Sequence, residues 1–218
     1  MSSTFDPSTD FVLVTDLLET VTLRRADTGA VSSIAHTLRR EVTQREAEAS
    51  GGKYTRSDLV WHLPAGELSV FPRLGDQLID ADDAKWTILE IQLACGGARL
   101  RCLARNLAVA AGLSDEITIQ VATWSKTASG AASATWNDSL TGLAARIQPQ
   151  TGEVTVTHDR REMRITHRII VAEAVDVNDN HRVLDADGNV YHVVGYEQPA
   201  RIDVLPVILA VQSPWPLE

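Results

Sequence analysis

Asp185, Asp187 and Asn189 stand at alternate positions in Val183-Leu-Asp-Ala-Asp-Gly-Asn-Val-Tyr-His-Val-Val-Gly-Tyr196, the spacing with which a calcium loop begins. A complete loop needs a bidentate acid at its twelfth position, and counting from Asp185 that position is Tyr196. The stretch therefore reads as a tight turn, because Gly accepts positive φ and Asp tolerates it. His62 and His167 fall on predicted strands with no second or third ligand at useful spacing, and read as structural histidines. Asp176-Val-Asn-Asp-Asn-His181 reads as a polar loop. Serine, histidine and aspartate are all present, yet there is no Gly-x-Ser-x-Gly elbow and no phosphate-cradling glycine loop. Trp61, Trp86, Trp124, Trp136 and Trp215 suggest sugar stacking, but three lie in or at the ends of predicted strands, where core or interface packing is the ordinary use. Residue chemistry thus predicts no catalysis, no metal and no cofactor, and leaves a carbohydrate-binding module as the remoter alternative.

Composition narrows the rest. The 218 residues hold one large domain or two of about 100. A net charge of −9 disfavours a phosphate-binding surface. Cys95 and Cys102 flank Gly96-Gly97; a hairpin there sets Cys95 opposite Ala98 and Cys102 opposite Ile91, so the sulfurs are not partners. Both read as small buried hydrophobes, with no sign of an oxidising compartment. The start, Met1-Ser-Ser-Thr-Phe5-Asp-Pro7, has neither the basic nor the apolar part of a signal peptide. No apolar run approaches the roughly 20 residues that span a bilayer, so no membrane partner is expected.

The elements that must position these residues recur. Leu78-Ile-Asp-Ala-Asp-Asp-Ala-Lys-Trp-Thr-Ile-Leu-Glu-Ile91 has the form of the stretch above, with Asp80 answered by Asp185, Trp86 by Tyr191 and Ile88-Leu89 by Val193-Val194. Glu116–Gln120 answers Glu19–Leu23, Ile165 and His167 answer Val60 and His62, and Arg201–Val207 answers Arg99–Arg105. Alternation predicts strands at Thr20–Arg25, Arg56–Leu63 (Leu59, Trp61 and Leu63 on one side), Trp86–Ala94, Arg99–Arg105 and Arg164–Ala172, with a short edge at Ser69–Phe71. Across the Gly96-Gly97 turn, Leu93 meets Leu100 and Gln92 meets Arg101. His36–Ala49 reads as a solvated helix or mobile loop, Lys126–Ser133 as a flexible loop, Asn106–Ser114 as a linker. The reading is all-β: two tandem small antiparallel β-barrels or sandwiches with long loops, a first module over 11–106 and a second over 115–212, with terminal arms at 1–10 and 213–218.

The second module carries a further pattern: Glu116-Ile-Thr-Ile-Gln, a Gly/Ser loop, Thr135-Trp136-Asn-Asp, Pro149-Gln-Thr-Gly152-Glu153, Thr166-His167-Arg168, and Asp187-Gly188-Asn-Val-Tyr191-His-Val193 before a final apolar strand. In this order and spacing it resembles the head–tail joining proteins of tailed phages, the small β-barrel stopper or head-completion family. The first module keeps Thr20–Arg25 and the hairpin but lacks the Pro-x-x-Gly-Glu turn and a counterpart of Trp136, so it looks like a diverged copy.

The resemblance implies a structural, non-enzymatic virion protein of the neck, at the head–tail interface, assembled in the host cytoplasm. It implies a homo-oligomeric ring, hexamer or dodecamer, between a portal or adaptor protein and a tail terminator or tail tube, with packaged DNA passing through without specific binding. In the family the loop after the Gly-Glu turn projects toward the channel and can close it. Carried over, that loop is Thr151–Arg161, with Thr151, Gly152, Glu153, Thr155, His158, Arg160 and Arg161; its counterpart is Arg45–Tyr54, with Arg45, Glu46, Glu48 and Lys53. Phe5, Pro7, Trp215 and Pro216 are the arm residues expected to reach neighbours. Six chains of two barrels would present twelve barrels. A duplicated tail-tube, tail-terminator or baseplate-hub protein is the alternative structural reading.

Overall fold

The computed structural model describes residues 16–127, 130–151, 155–158 and 161–213. The chain divides into two compact units, Met1–Ala110 and Ala111–Glu218.

The first unit is a closed antiparallel barrel of β1 (Glu19–Arg24), β2 (Val31–Glu41), β3 (Leu59–Pro64), β4 (Gln77–Ile79), β5 (Lys85–Ala94) and β6 (Arg99–Arg105), in the order β1-β2-β3-β6-β5-β4. Closure leaves no unpaired edge. Alternation sends Val21, Leu23, Ile34, Trp61, Leu63, Leu78, Ile88, Leu100 and Cys102 inward as one cluster. β3 is buried on both faces, which is why it reads Leu-Val-Trp-His-Leu without a polar partner for every apolar residue. Its outward Val60 packs with Leu103 and Val42 under Ala47 and Tyr54, and Ala47 belongs to helix α1 (Gln44–Ala49). A five-residue helix α2 (Leu107–Ala111) follows β6.

The second unit holds β7 (Asp115–Lys126), β8 (Ala132–Pro149), β11 (His167–Val171), β12 (His181–Asp185), β13 (Val190–Glu197) and β14 (Val207–Gln212), closed in the order β11-β14-β13-β12-β7-β8. Between β8 and β11, β9 (Thr155–His158) and β10 (Arg161–Arg164) form a separate two-stranded sheet. Taking β7, β8, β11, β12, β13 and β14 for β1 to β6, every neighbour in one barrel is a neighbour in the other. Outside the β1–β2 and β7–β8 pairs the registers agree as well. Leu23 pairs with Leu78 where Ile119 pairs with Val183; Leu78 pairs with Trp86 where Val183 pairs with Tyr191. Trp61 pairs with Cys102 where Ile169 pairs with Ile208. Even the register slip at Ile88/Glu90 returns at Val193/Gly195.

The structure corrects several sequence expectations. Leu23 matches Ile119, so Glu19 answers Asp115 rather than Glu116; a slip of one residue would turn every side chain to the opposite face. Trp61 matches Ile169, so Leu59, not His62, answers His167. Arg201–Pro206 is turn and coil; the closing strand begins at Val207, and Cys102 matches Ile208. Pro206 supplies no N–H for a ladder. His36–Glu41 belongs to β2, and the helix spans only Gln44–Ala49. Residues 69–71 form no strand. Cys102 is buried as expected, but Cys95 is exposed; both are free. The pairs Ile91–Cys102, Gln92–Arg101 and Leu93–Leu100 stand as read.

Candidate functional site

The expected channel loops occupy one place in both barrels. β2 ends at Glu41 and β3 starts at Leu59; β8 ends at Pro149 and β11 starts at His167. The two connections have equal length and join equivalent strands, yet they fold differently.

In the first unit the connection is a helix held against the barrel wall. Thr43 caps α1: its hydroxyl accepts from the Glu46 N–H, while the Glu46 carboxylate accepts from the Thr43 N–H at 3.0 Å, a reciprocal capping box. Arg40 grips the same carboxylate with two nitrogens, at 2.6 and 2.8 Å, and Arg101 adds a third contact at 3.4 Å. The Arg40 hydrogen bonds, then the Thr43 backbone, hold the Glu46 carboxyl well below the usual carboxylate range. After the helix, Tyr54 donates its hydroxyl to Glu90 at 2.6 Å, and the Lys53 carbonyl accepts from Arg105 at 3.0 Å. Arg105 also forks onto Asp58, whose side chain is wholly buried, at 2.7 and 2.8 Å. Arg45, Glu46 and Glu48 thus sit on a capped helix and Lys53 in the turn behind it, in place of a free loop.

In the second unit the connection carries a β-hairpin. Thr155 and His158 lie on β9 and Arg161 on β10, with His158 opposite Arg161 and Thr155 opposite Arg164. Thr151 is exposed just after β8. Gly152, Glu153 and Arg160, and the arm residues Phe5, Pro7, Trp215 and Pro216, lie outside the described residues.

Sequence reasoning missed a third feature. β7 and β8 run on past the barrel as a two-stranded ribbon, with pairing continuous to Lys126–Ala132. Beside its base lies an outward ladder across four strands. Arg182 lies over the Trp136 ring, 4.3 Å from its centre, and donates to Gln120 at 2.7 Å. Gln120 donates to Asp138 at 2.7 Å, and His192 tilts against Trp136 at 6.3 Å. Burial, then the charge of Arg182, lowers the His192 pKa. The signal was present in the alternation of Ala and Trp with Thr and Ser through 122–136, masked by a Ser/Gly/Ala composition that reads as flexible.

None of these groups forms an acid–base–nucleophile set. Burial lowers the pKa of His62 and of His167, whose ring stands edge-on to Tyr191 at 5.0 Å. Among the described residues no group of three or more His, Cys, Asp or Glu is placed to hold a metal ion. Of the tryptophans described, Trp61 is buried, Trp86 partly buried against it, Trp136 lies under Arg182 and Trp124 is largely exposed. No helix among the described residues is long and apolar enough to cross a membrane.

Comparison with known proteins supplies what the geometry alone does not. No curated protein matches the chain. Protein SF1141 from Shigella flexneri 2a, known from its solution structure, is similar at 13% identity over 40% of this chain and 90% of its own, with a TM-score of 0.31, too low to carry an argument. The family of phage head completion proteins matches residues 110–211, which take in the second barrel up to the last residue of β14, Gln212. That family is structural and non-enzymatic and serves the head–tail junction of the virion. The second half of this chain is therefore a phage head completion protein domain, and the chain a virion structural protein.

Proposed function

We propose that the chain is a tandem-duplicated neck protein, with one head-completion barrel over 11–106, a second over 115–212, and arms at 1–10 and 213–218. Its copies form a ring between a portal or adaptor protein and a tail terminator or tail tube, and are assembled in the host cytoplasm. Six chains would set twelve barrels around the channel. The α1 connection and the β9–β10 hairpin, equivalent in the two barrels, are the parts that face the channel and close it. The carboxylate excess lets DNA slide past, because like charge disfavours non-specific binding.

What supports the reading is that the first barrel repeats the strand order of the head-completion barrel and, outside the β1–β2 pair, its registers. Labelling this chain in intact virions and imaging them tests it. Label at the neck is expected; label along the tail or at its tip would move the chain to a tail-tube, terminator or baseplate-hub role. The mass of the isolated ring tests the count, with twelve chains overturning the six-chain arrangement.

A further inference from the structure

We propose that the β7–β8 ribbon is the arm by which one copy of this chain grips a second copy; this rests on the ring reading above. The ribbon is not needed to close the barrel. The first barrel turns from β1 to β2 directly after the pair Arg24–Val31. The second continues to Lys126–Ala132, although β12 pairs with β7 only as far as Val121. Leu23 matches Ile119 at 96 positions, while Arg39 matches Ile147 at 108, so the second barrel carries twelve extra residues here.

Those residues make a two-faced ribbon. Opposite residues share a face, so Ala122 with Trp136, Trp124 with Ala134 and Lys126 with Ala132 form one side, and Thr123 with Thr135 and Ser125 with Ser133 the other. Apart from Lys126 at its far end, the first side is apolar and runs on into Trp136 beneath Arg182. Trp124 is 60% exposed. A lone two-stranded ribbon with both faces in water is marginal, so an element this long needs a surface to lie on.

The edges identify that surface. An edge meant to stay free is blunted with charge or proline. From 121 to 137 this chain, 22% charged overall, has Lys126 as its single charged residue and no proline. A partner for such an edge must offer an open edge in return. Both barrels are closed; the ribbon and β9–β10 lie outside them, as strands that pair on one side only. Every copy carries both, so the complement of the ribbon is present on a second copy.

The test uses the full chain, with association followed by light scattering against concentration. One variant combines Trp124→Ala with Ala134→Glu. In a second, residues 122–136 are replaced by the Arg25–Ala30 turn of the first barrel. Thermal melting and far-ultraviolet circular dichroism report folding. Both variants are expected to fold and to associate at least about tenfold more weakly than the wild type. Wild-type assembly that survives both variants overturns the ribbon contact and leaves the neck reading standing. A wild type that is monomeric at every soluble concentration also overturns it, and the neck reading is then decided by virion labelling alone.

Discussion

Tyr191 donates its hydroxyl to Asp185 at 3.0 Å, tying a buried ring of the second barrel's core to the turn that leads into its strand. Asp185 also accepts from the backbone of Asp187 at 3.0 Å and Asn189 at 2.8 Å. The first barrel builds the same device 105 positions earlier: Asp80 accepts from the backbone of Asp82 and Ala84, both at 3.0 Å, and from the Trp86 indole at 2.9 Å. Different rings, a phenol in one barrel and an indole in the other, donate to the equivalent carboxylate oxygen, Oδ2. Tyr191→Phe keeps the packing and removes the donor. Hydrogen bonds to charged groups contribute about 1.5–3 kcal/mol, and a loss in that range is expected in urea denaturation. An unchanged midpoint would show that the turn holds without its brace.

The same carboxylate gives a pH dependence of definite sign. Burial alone would raise the Asp185 pKa, but the bonds from Asn189, Tyr191 and Asp187 outweigh it and hold the group below its usual value. Burial would raise Asp58 too, and its fork from Arg105 and the Thr55 bonds win in the same way. A lowered folded pKa means that the stabilisation is complete above the unfolded value of about 3.9 and is lost as pH falls through the folded one. Asp185→Asn and Asp58→Asn are therefore expected to melt lower at neutral pH and to lose less on acidification below about pH 4. A variant with the wild-type acid slope would remove that residue from the account.

The turns of the two barrels differ at Asp83 against Gly188 and at Ala84 against Asn189. Gly188 has φ 81°, and Asp83, its equivalent, has φ 60°. A Cβ at Gly188 meets nothing within 4 Å, so Gly188→Ala tests backbone strain alone. A non-glycine residue in this region costs roughly 1–2 kcal/mol. Gly188→Ala is expected to lower stability by about that amount. Asp83→Gly exchanges the strain for chain entropy and is expected to change it by less. If Asp83→Gly proves the more damaging substitution, the two turns are not equivalent.

Where the chain was legible, periodicity and turn chemistry agreed. The Asp-Ala-Asp turns, the inward Leu59, Trp61 and Leu63, and the pairing across Gly96-Gly97 follow from alternation against a half-buried sheet. Equivalences drawn through constant spacing failed where a length change intervened. The stretch from Trp61 to Leu78 is three residues longer than that from Ile169 to Val183, so the 105-residue interval that fits Asp80 and Asp185 misplaces Leu59 and His167 by three. Composition gives His36–Ala49 as a solvated helix or mobile loop and Thr151–Arg161 as a loop, and does not separate a docked helix from a hairpin. Composition does not register that Thr43 and Glu46 stand at capping-box spacing, or that Val42 and Tyr54 supply a face for Val60 and Leu103.

The two cysteines differ in a way that chemistry reads directly. Burial pushes the Cys102 thiol up to about 12, and its side chain is enclosed between Trp61 and Ile91 on neighbouring strands. Cys95 lies exposed at the β5–β6 turn. A thiolate reagent in excess is expected to titrate one thiol in the native chain and two after unfolding, since reaction requires both access and ionisation. Two thiols reacting at similar rates in the native state would mean that the β3–β6–β5 wall opens.

Glu46 decides whether the α1 connection stays docked. Its carboxylate meets the Thr43 cap, Arg40 and Arg101 together, so three elements converge on one side chain. Glu48, one turn beyond Gln44 on the same helix, accepts from the Gln44 amide at 2.8 Å on the exposed side. Loss of a helix cap costs about 1 kcal/mol, and Glu46→Ala also leaves Arg40 and Arg101 facing each other without their shared anion. The helix buries no residue fully and packs Ala47, partly buried, against the outer cluster of Val42, Val60 and Leu103, so apolar contact holds it weakly. Glu46→Ala is expected to speed amide hydrogen exchange through residues 44–54 severalfold while β3 and β6, closed into the barrel, exchange as before. Glu48→Ala is expected to leave both unchanged. Equal effects from the two substitutions would place the anchor elsewhere, in Tyr54 and its 2.6 Å bond to Glu90.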